Sequence, residues 1–140
     1  MVSGREIEAG KLVAEMKEKL MSISQIKPPA WAAYAKTGTH RERPPQQADF
    51  WYIRSAAVLR RIYLDSPVGV SRLRTYFGGK RRRGYKPAVS RRAAGNMLRK
   101  ILQQLEAAGL VVRDKKGRKL TPAGQKFVNS IATEMKKGGK

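Results

Sequence analysis

The chain has 140 residues, 31 of them Lys or Arg against 10 Asp or Glu, for a formal net charge of +21. That is the length of one domain, and so large a charge opposes a compact free state unless a polyanion neutralises it. Absent cysteine and a single histidine exclude disulfides, thiolate metal sites, cysteine nucleophiles and histidine clusters. No apolar run approaches a membrane span and no signal peptide opens the chain, so nucleic acid is the expected polyanion rather than a membrane.

In chain order, Ser3 and Glu6 have the spacing of a capping box and predict a helix to about Met21, with Ile7, Val13, Met16 and Leu20 on its inner face. Ile26-Lys27-Pro28-Pro29 breaks it. A short helix restarts at Pro29, carries Trp31, Ala32, Tyr34 and Ala35, and stops at Gly38. The stretch KTGTHRERPPQQ, with Lys36 and His40, reads as a basic surface loop or nucleic-acid contact, and solvation is the expected state of His40. Asp49 then caps FWYIRSAAVLRRIYL, which is apolar nearly all round and therefore central. At 100° per residue Arg54 and Arg61 fall on nearly one line of this helix and Arg60 on another edge. Arginines there must reach a partner or water: either they snorkel or pair with one of the few carboxylates, or they face phosphate.

Ser66-Pro67 ends the central helix, Val68-Gly69-Val70 has room for a short strand, and Ser71 caps a brief helix, RLRTYF, closed by Gly78-Gly79. The next stretch, KRRRGYKPAV, is too basic to bury and reads as a loop, mobile alone and ordered along a phosphate backbone through Lys80, Arg81, Arg82, Arg83, Tyr85 and Lys86. From Ser90, an expected cap, Ala94, Met97, Leu98, Ile101, Leu102, Leu105 and Ala108 recur at helical steps. Arg91 and Arg92 then sit at the positive end of that helix, where a cation is disfavoured by roughly 0.3–1 kcal/mol. A phosphate site explains them, and a solvated basic face is the alternative. Arg99 and Lys100 extend the charge. Gly109 stops the helix, Leu110 packs back on it, and LVVR and RKLT flank DKKG, a hairpin whose Gly117 supplies a positive φ. Thr121-Pro122 opens a last helix with Phe127, Val128, Ile131, Ala132 and Met135 inward, and the tail MKKGGK is expected to fray.

The sum is a mainly α chain with a small β-hairpin: a winged helix-turn-helix core with an N-terminal helical extension, one domain over 1–140. Residues 1–47 supply the N-terminal helices and basic loop, 48–121 the core, and 122–140 the C-terminal helix and tail. Acids are few and scattered, so no catalytic site, cofactor or metal is expected.

The segments KPPAW, KTG, FWYIRSAAVLRRIYL, GVSRLRTYFGG, PAVSRRAAGNMLRKILQQLEAAGLV and GRKLTPAG, in this order over almost the whole chain, closely resemble the archaeal and eukaryotic small-subunit ribosomal protein family S-nineteen-e. The resemblance implies a winged-helix core, binding of ribosomal RNA in the head of the small subunit beside neighbouring ribosomal proteins, a role in maturation of that subunit, and a cytoplasmic location in the ribosome. By the family pattern Arg54 and Arg60 match positions of an RNA-facing basic surface. The candidate RNA contacts are Lys36, Arg54, Arg60, Arg61, Lys80, Arg81, Arg82, Arg83, Tyr85, Lys86, Arg91, Arg92 and Arg99. The rival reading is a winged-helix DNA-binding transcription regulator. Lys and Arg in every segment suit a protein surrounded by folded RNA, and a ribosomal site requires a monomer when free, whereas a palindromic operator requires a dimer.

Overall fold

The computed structural model describes residues 2–138, and its centre is the apolar helix α2, Phe50–Asp65, whose Trp51, Ala56, Val58, Leu59 and Ile62 are buried. Against it pack α1, Ala9–Met21, and α4, Gly95–Ala107. The short α3, Val70–Tyr76, closes on α4, and α5, Pro122–Gly138, lies along α1. Two separate antiparallel hairpins complete the chain: β1, Gly79–Arg83, with β2, Lys86–Arg91, and β3, Val111–Asp114, with β4, Gly117–Leu120. The mainly α class with a small β component is therefore present.

Part-buried polar groups tie the helices together. Trp51 Nε1 donates to Gln104 Oε1 at 2.7 Å, and Gln104 Nε2 donates to the Lys27 carbonyl at 2.7 Å, which joins α2, α4 and the segment after α1. Trp31 meets Trp51 edge-on with centroids 5.9 Å apart, in the range of favourable aromatic pairs. Tyr63 Oη accepts from the Gly4 amide at 3.1 Å and donates to Asn129 Oδ1 at 2.7 Å, fixing the N-terminal turn against α2 and α5.

Several boundaries differ from expectation, each for a local reason. The Ser3 side chain caps only a 3₁₀ turn, Gly4–Glu6, and α1 starts afresh at Ala9, with Leu12 joining Met16 and Leu20 inside and Ile7 left before the helix. Asp49 stands at the start of α2 without capping it, because its carboxylate is taken by Lys17 at 2.8 Å. Gly69, not Ser71, precedes α3. The expected strand at 68–70 reduces to one bridge, in which the Val68 and Arg118 amides and carbonyls pair at 2.8–3.0 Å.

The KRRRGYKPAV loop is a hairpin instead. Its turn is Gly84-Tyr85 with φ +71° at Gly84 only, and the register slips between Arg81 and Arg83. Ser90 and Arg91 belong to β2, so α4 begins at Gly95 and neither Ser90 nor the two arginines open it. Tertiary pairing holds this stretch extended: the Ala93 amide donates to the Arg74 carbonyl at 2.9 Å and the Ala94 amide to the Thr37 carbonyl at 2.8 Å.

The end of α4 follows the sequence signal. Gly109 has φ +81°, its amide donates to Glu106, and the Leu110 amide donates back to Leu105, satisfying carbonyls the helix leaves open. Gly117 at φ +137° closes the two-residue turn of β3–β4, and a Cβ there would lie 2.7 Å from the Val68 carbonyl carbon. Thr121 Oγ1 accepts from the Gly124 amide at 3.0 Å and so caps α5. That helix continues through Met135–Gly138, where fraying is expected, and the last two residues of the tail lie outside the described residues.

Candidate nucleic-acid interface

Charge is unevenly placed along the chain. Between Asp65 and Glu106 there is no acid at all, while Arg72, Arg74, Lys80, Arg81, Arg82, Arg83, Lys86, Arg91, Arg92, Arg99 and Lys100 fall in that run. Among the described residues none of these cations takes part in an ion pair. The pairs lie elsewhere, several of them on the α1 and α5 side: Lys17 with Glu18 and Asp49, Lys19 with Glu134, Lys136 with Glu6.

The β1–β2 hairpin concentrates the unpaired charge. Lys80, Arg81, Arg82, Arg83 and Lys86 are all exposed, and Tyr85 at the tip is fully exposed. Little but backbone pairing holds it, together with Arg83 Nε donating to the Pro87 carbonyl at 2.9 Å. At its base the ladder pairs Gly79 with Arg91, and there the hairpin runs into an open cleft of about 600 Å³ lined by Lys36, Arg74, Arg91, Arg92 and the backbone of Ala93 and Ala94. Arg74 is fixed across this cleft, its Nε donating to the Ala93 carbonyl at 2.9 Å. Arg91 and Arg92 thus stand beside the start of α4 rather than on it, and Lys36, distant in sequence, joins them.

The three arginines of α2 divide. The Arg54 guanidinium is sandwiched, 4.4 Å from the Phe77 ring centroid and 5.3 Å from that of Phe50. Burial, then the charge of Arg41, disfavours its charged state. Arg61, on the same line of the helix, pairs with Asp65 and lies 4.2 Å over the Tyr76 ring, so the carboxylate alternative holds for this residue. Arg60 is half-buried with Nε enclosed and unpartnered. Arg99 is exposed on α4 and lines neither the hairpin nor the cleft.

His40 is not a solvated loop residue. Its ring packs over Gly38 and Gly79, with Nδ1 buried and unpartnered, and burial, followed by the charges of Arg41 and Arg54, holds its pKa below the ordinary value. Sequence reasoning did not mark Arg74, Arg41, Phe50 or Phe77 as site residues, since only the fold carries Arg74 to β2 and Phe77 to α2.

The family model described as Ribosomal protein S19e matches residues 3–138. The Small ribosomal subunit protein eS19 of Aeropyrum pernix is 46% identical over 138 residues, covering 96% of this chain and 90% of that protein. Proteins of the same name from Emericella nidulans and Thermoplasma volcanium are 40% and 35% identical, over 94% and 96% of this chain respectively and 90% of each relative.

Proposed function

The chain belongs to the ribosomal protein S19e family, and from that premise we propose that it is a structural constituent of the small ribosomal subunit, binding ribosomal RNA in the subunit head and needed for assembly of the subunit and maturation of its RNA. It is a structural protein and not an enzyme. The observation that carries the RNA-binding reading is the acid-free run 66–105, whose cations make no ion pair among the described residues and include an exposed basic hairpin.

Its physical logic is direct. A hairpin with no buried side chain and a row of like charges is poorly stabilised alone, because an isolated two-stranded ribbon is marginal in water and its charges repel. Phosphates between those charges remove the repulsion, and releasing their counterions drives association. Tyr85 adds an aromatic face on which an unstacked base can lie. The cleft at the hairpin base, with Lys36, Arg74, Arg91 and Arg92, continues the track toward α2, where Arg54 and Arg60 offer more rigidly mounted guanidinium groups. Arg61, already paired, is the weakest member of the set, and Arg99 stands apart from it.

The test is co-sedimentation of tagged chain with small subunits in high-salt gradients, alongside a variant with Lys80, Arg81, Arg82, Arg83 and Lys86 changed to Gln. Retention of the parent, release of the variant and accumulation of precursor RNA in depleted cells support the proposal. A parent that appears only as free dimer or bound to DNA overturns it.

A further inference from the structure

A second cleft lies where this basic track reaches α2. Where α2 faces the 37–47 segment, an opening of about 430 Å³ falls in the size class of sites for small organic ligands, roughly 300–1,000 Å³. Phe50 and Arg54 from α2 and Phe77 from the end of α3 form its wall, Arg41 and Arg43 its rim, and Gln47 contributes an amide. No acid lines it, and among the described residues none of its three arginines is in an ion pair.

Two properties meet here. The wall carries two phenyl rings, with the Arg54 guanidinium carbon over Phe77 at 4.4 Å and over Phe50 at 5.3 Å. The rim carries Arg41 and Arg43, and the charge of Arg41 disfavours that of Arg54, so an anion entering between them relieves a repulsion already present. A planar group and an anion joined at short range describe a nucleotide. Aromatic rings and guanidinium planes are the surfaces on which proteins stack unpaired bases, at about 1–3 kcal/mol per base. A base within a duplex cannot enter such a cleft, because both of its faces are already covered.

We propose that the cleft between α2 and the 37–47 segment takes one unpaired nucleotide of the bound RNA, its base against the Phe50–Arg54–Phe77 wall, its phosphate between Arg41 and Arg43, and its edge read by Gln47. This deepens the proposed RNA-binding function and rests on it. An acidic peptide would satisfy the arginines and leave the stacking wall unused.

The experiment compares, by fluorescence anisotropy with the full chain, an RNA stem-loop bearing a single bulged nucleotide with the same stem lacking it. The wild type should bind the bulged RNA about tenfold tighter, the low end of one stacked base. Phe77→Leu should bring that ratio to about one while affinity for the plain stem persists. Should Phe77→Leu fail to fold, Arg41→Gln/Arg43→Gln, on an exposed segment, reads the same ratio and should lower it too. Equal affinity of the wild type for both RNAs overturns the nucleotide site and leaves RNA binding standing. Failure to bind either RNA overturns the proposed function with it. Displacement of the bulged RNA by a polyglutamate peptide that binds more tightly, through Arg41 and Arg43, overturns the choice of ligand.

Discussion

Replacing Arg54 with Gln separates an RNA-facing arginine from a structural one, because the structure sets two opposing stability terms. Removing the guanidinium from between Phe77 and Phe50 costs about 1 kcal/mol, midway between exposed and desolvated cation–π contacts. Removing a half-buried charge that burial and Arg41 both disfavour acts in the opposite direction. The net change should stay within about 1 kcal/mol, or roughly 4 °C in melting temperature for a chain of this size. RNA binding has no such compensation. Losing one charge-assisted contact to RNA weakens affinity by roughly tenfold or more, and one cation fewer at the RNA makes the salt dependence shallower by about 0.7–0.9. Arg54→Lys keeps the charge but loses the planar stack, so it should restore the salt slope and not the full affinity. Calorimetry and anisotropy on the same preparations decide the matter: a variant that melts more than about 10 °C lower yet binds RNA as tightly as its parent would show that Arg54 serves the core, and the reasoning fails.

Two further outcomes are expected. Amides of β1 and β2 should exchange fast in the free chain, since the hairpin carries no buried side chain, and should slow markedly on RNA; equal, slow exchange in both states would contradict its role. Stability should fall with acidification in two stages. Neutral His40 is favoured in the fold by burial and by Arg41 and Arg54, so its contribution is complete above about pH 6.5 and is lost below, where the unfolded chain binds the proton more readily. Asp49, Glu6 and Asp114, held below the usual carboxylate range first by side-chain hydrogen bonds from Lys17, Lys136 and Lys119, contribute above about pH 4 and lose that contribution below it. Melting curves against pH should lose the first stage in His40→Gln and part of the second in Asp49→Asn.

What the sequence made legible is what local pattern controls. The stripe from Met97 to Leu105, the Gly109 stop, the Gly117 turn and the Thr121-Pro122 start are each written within a few residues, and each is present. Residues 90–94 were not legible, because helix periodicity extrapolates backwards through them while Ser90 and Arg91 pair with β1 and the backbone partners of Ala93 and Ala94 are Arg74 and Thr37, far off in the chain. The β1–β2 hairpin hid for another reason. Its Gly84-Tyr85 turn is a recognised two-residue signal, but the flank before it is KRRR and the flank after it, KPAVSR, holds a proline, so the two sides give no alternation of apolar and polar positions. Arg41, Phe50 and Phe77 come together only when the basic loop folds onto α2, and no spacing within the sequence announces that.

The central claim is that the cations along 66–105, none of them in an ion pair among the described residues, meet the phosphates of folded RNA. It is tested most directly by the slope of log K against log salt concentration for RNA binding. With roughly eight phosphates neutralised the account predicts a slope of about −6 to −7, and a slope of about −1 or −2 would contradict it.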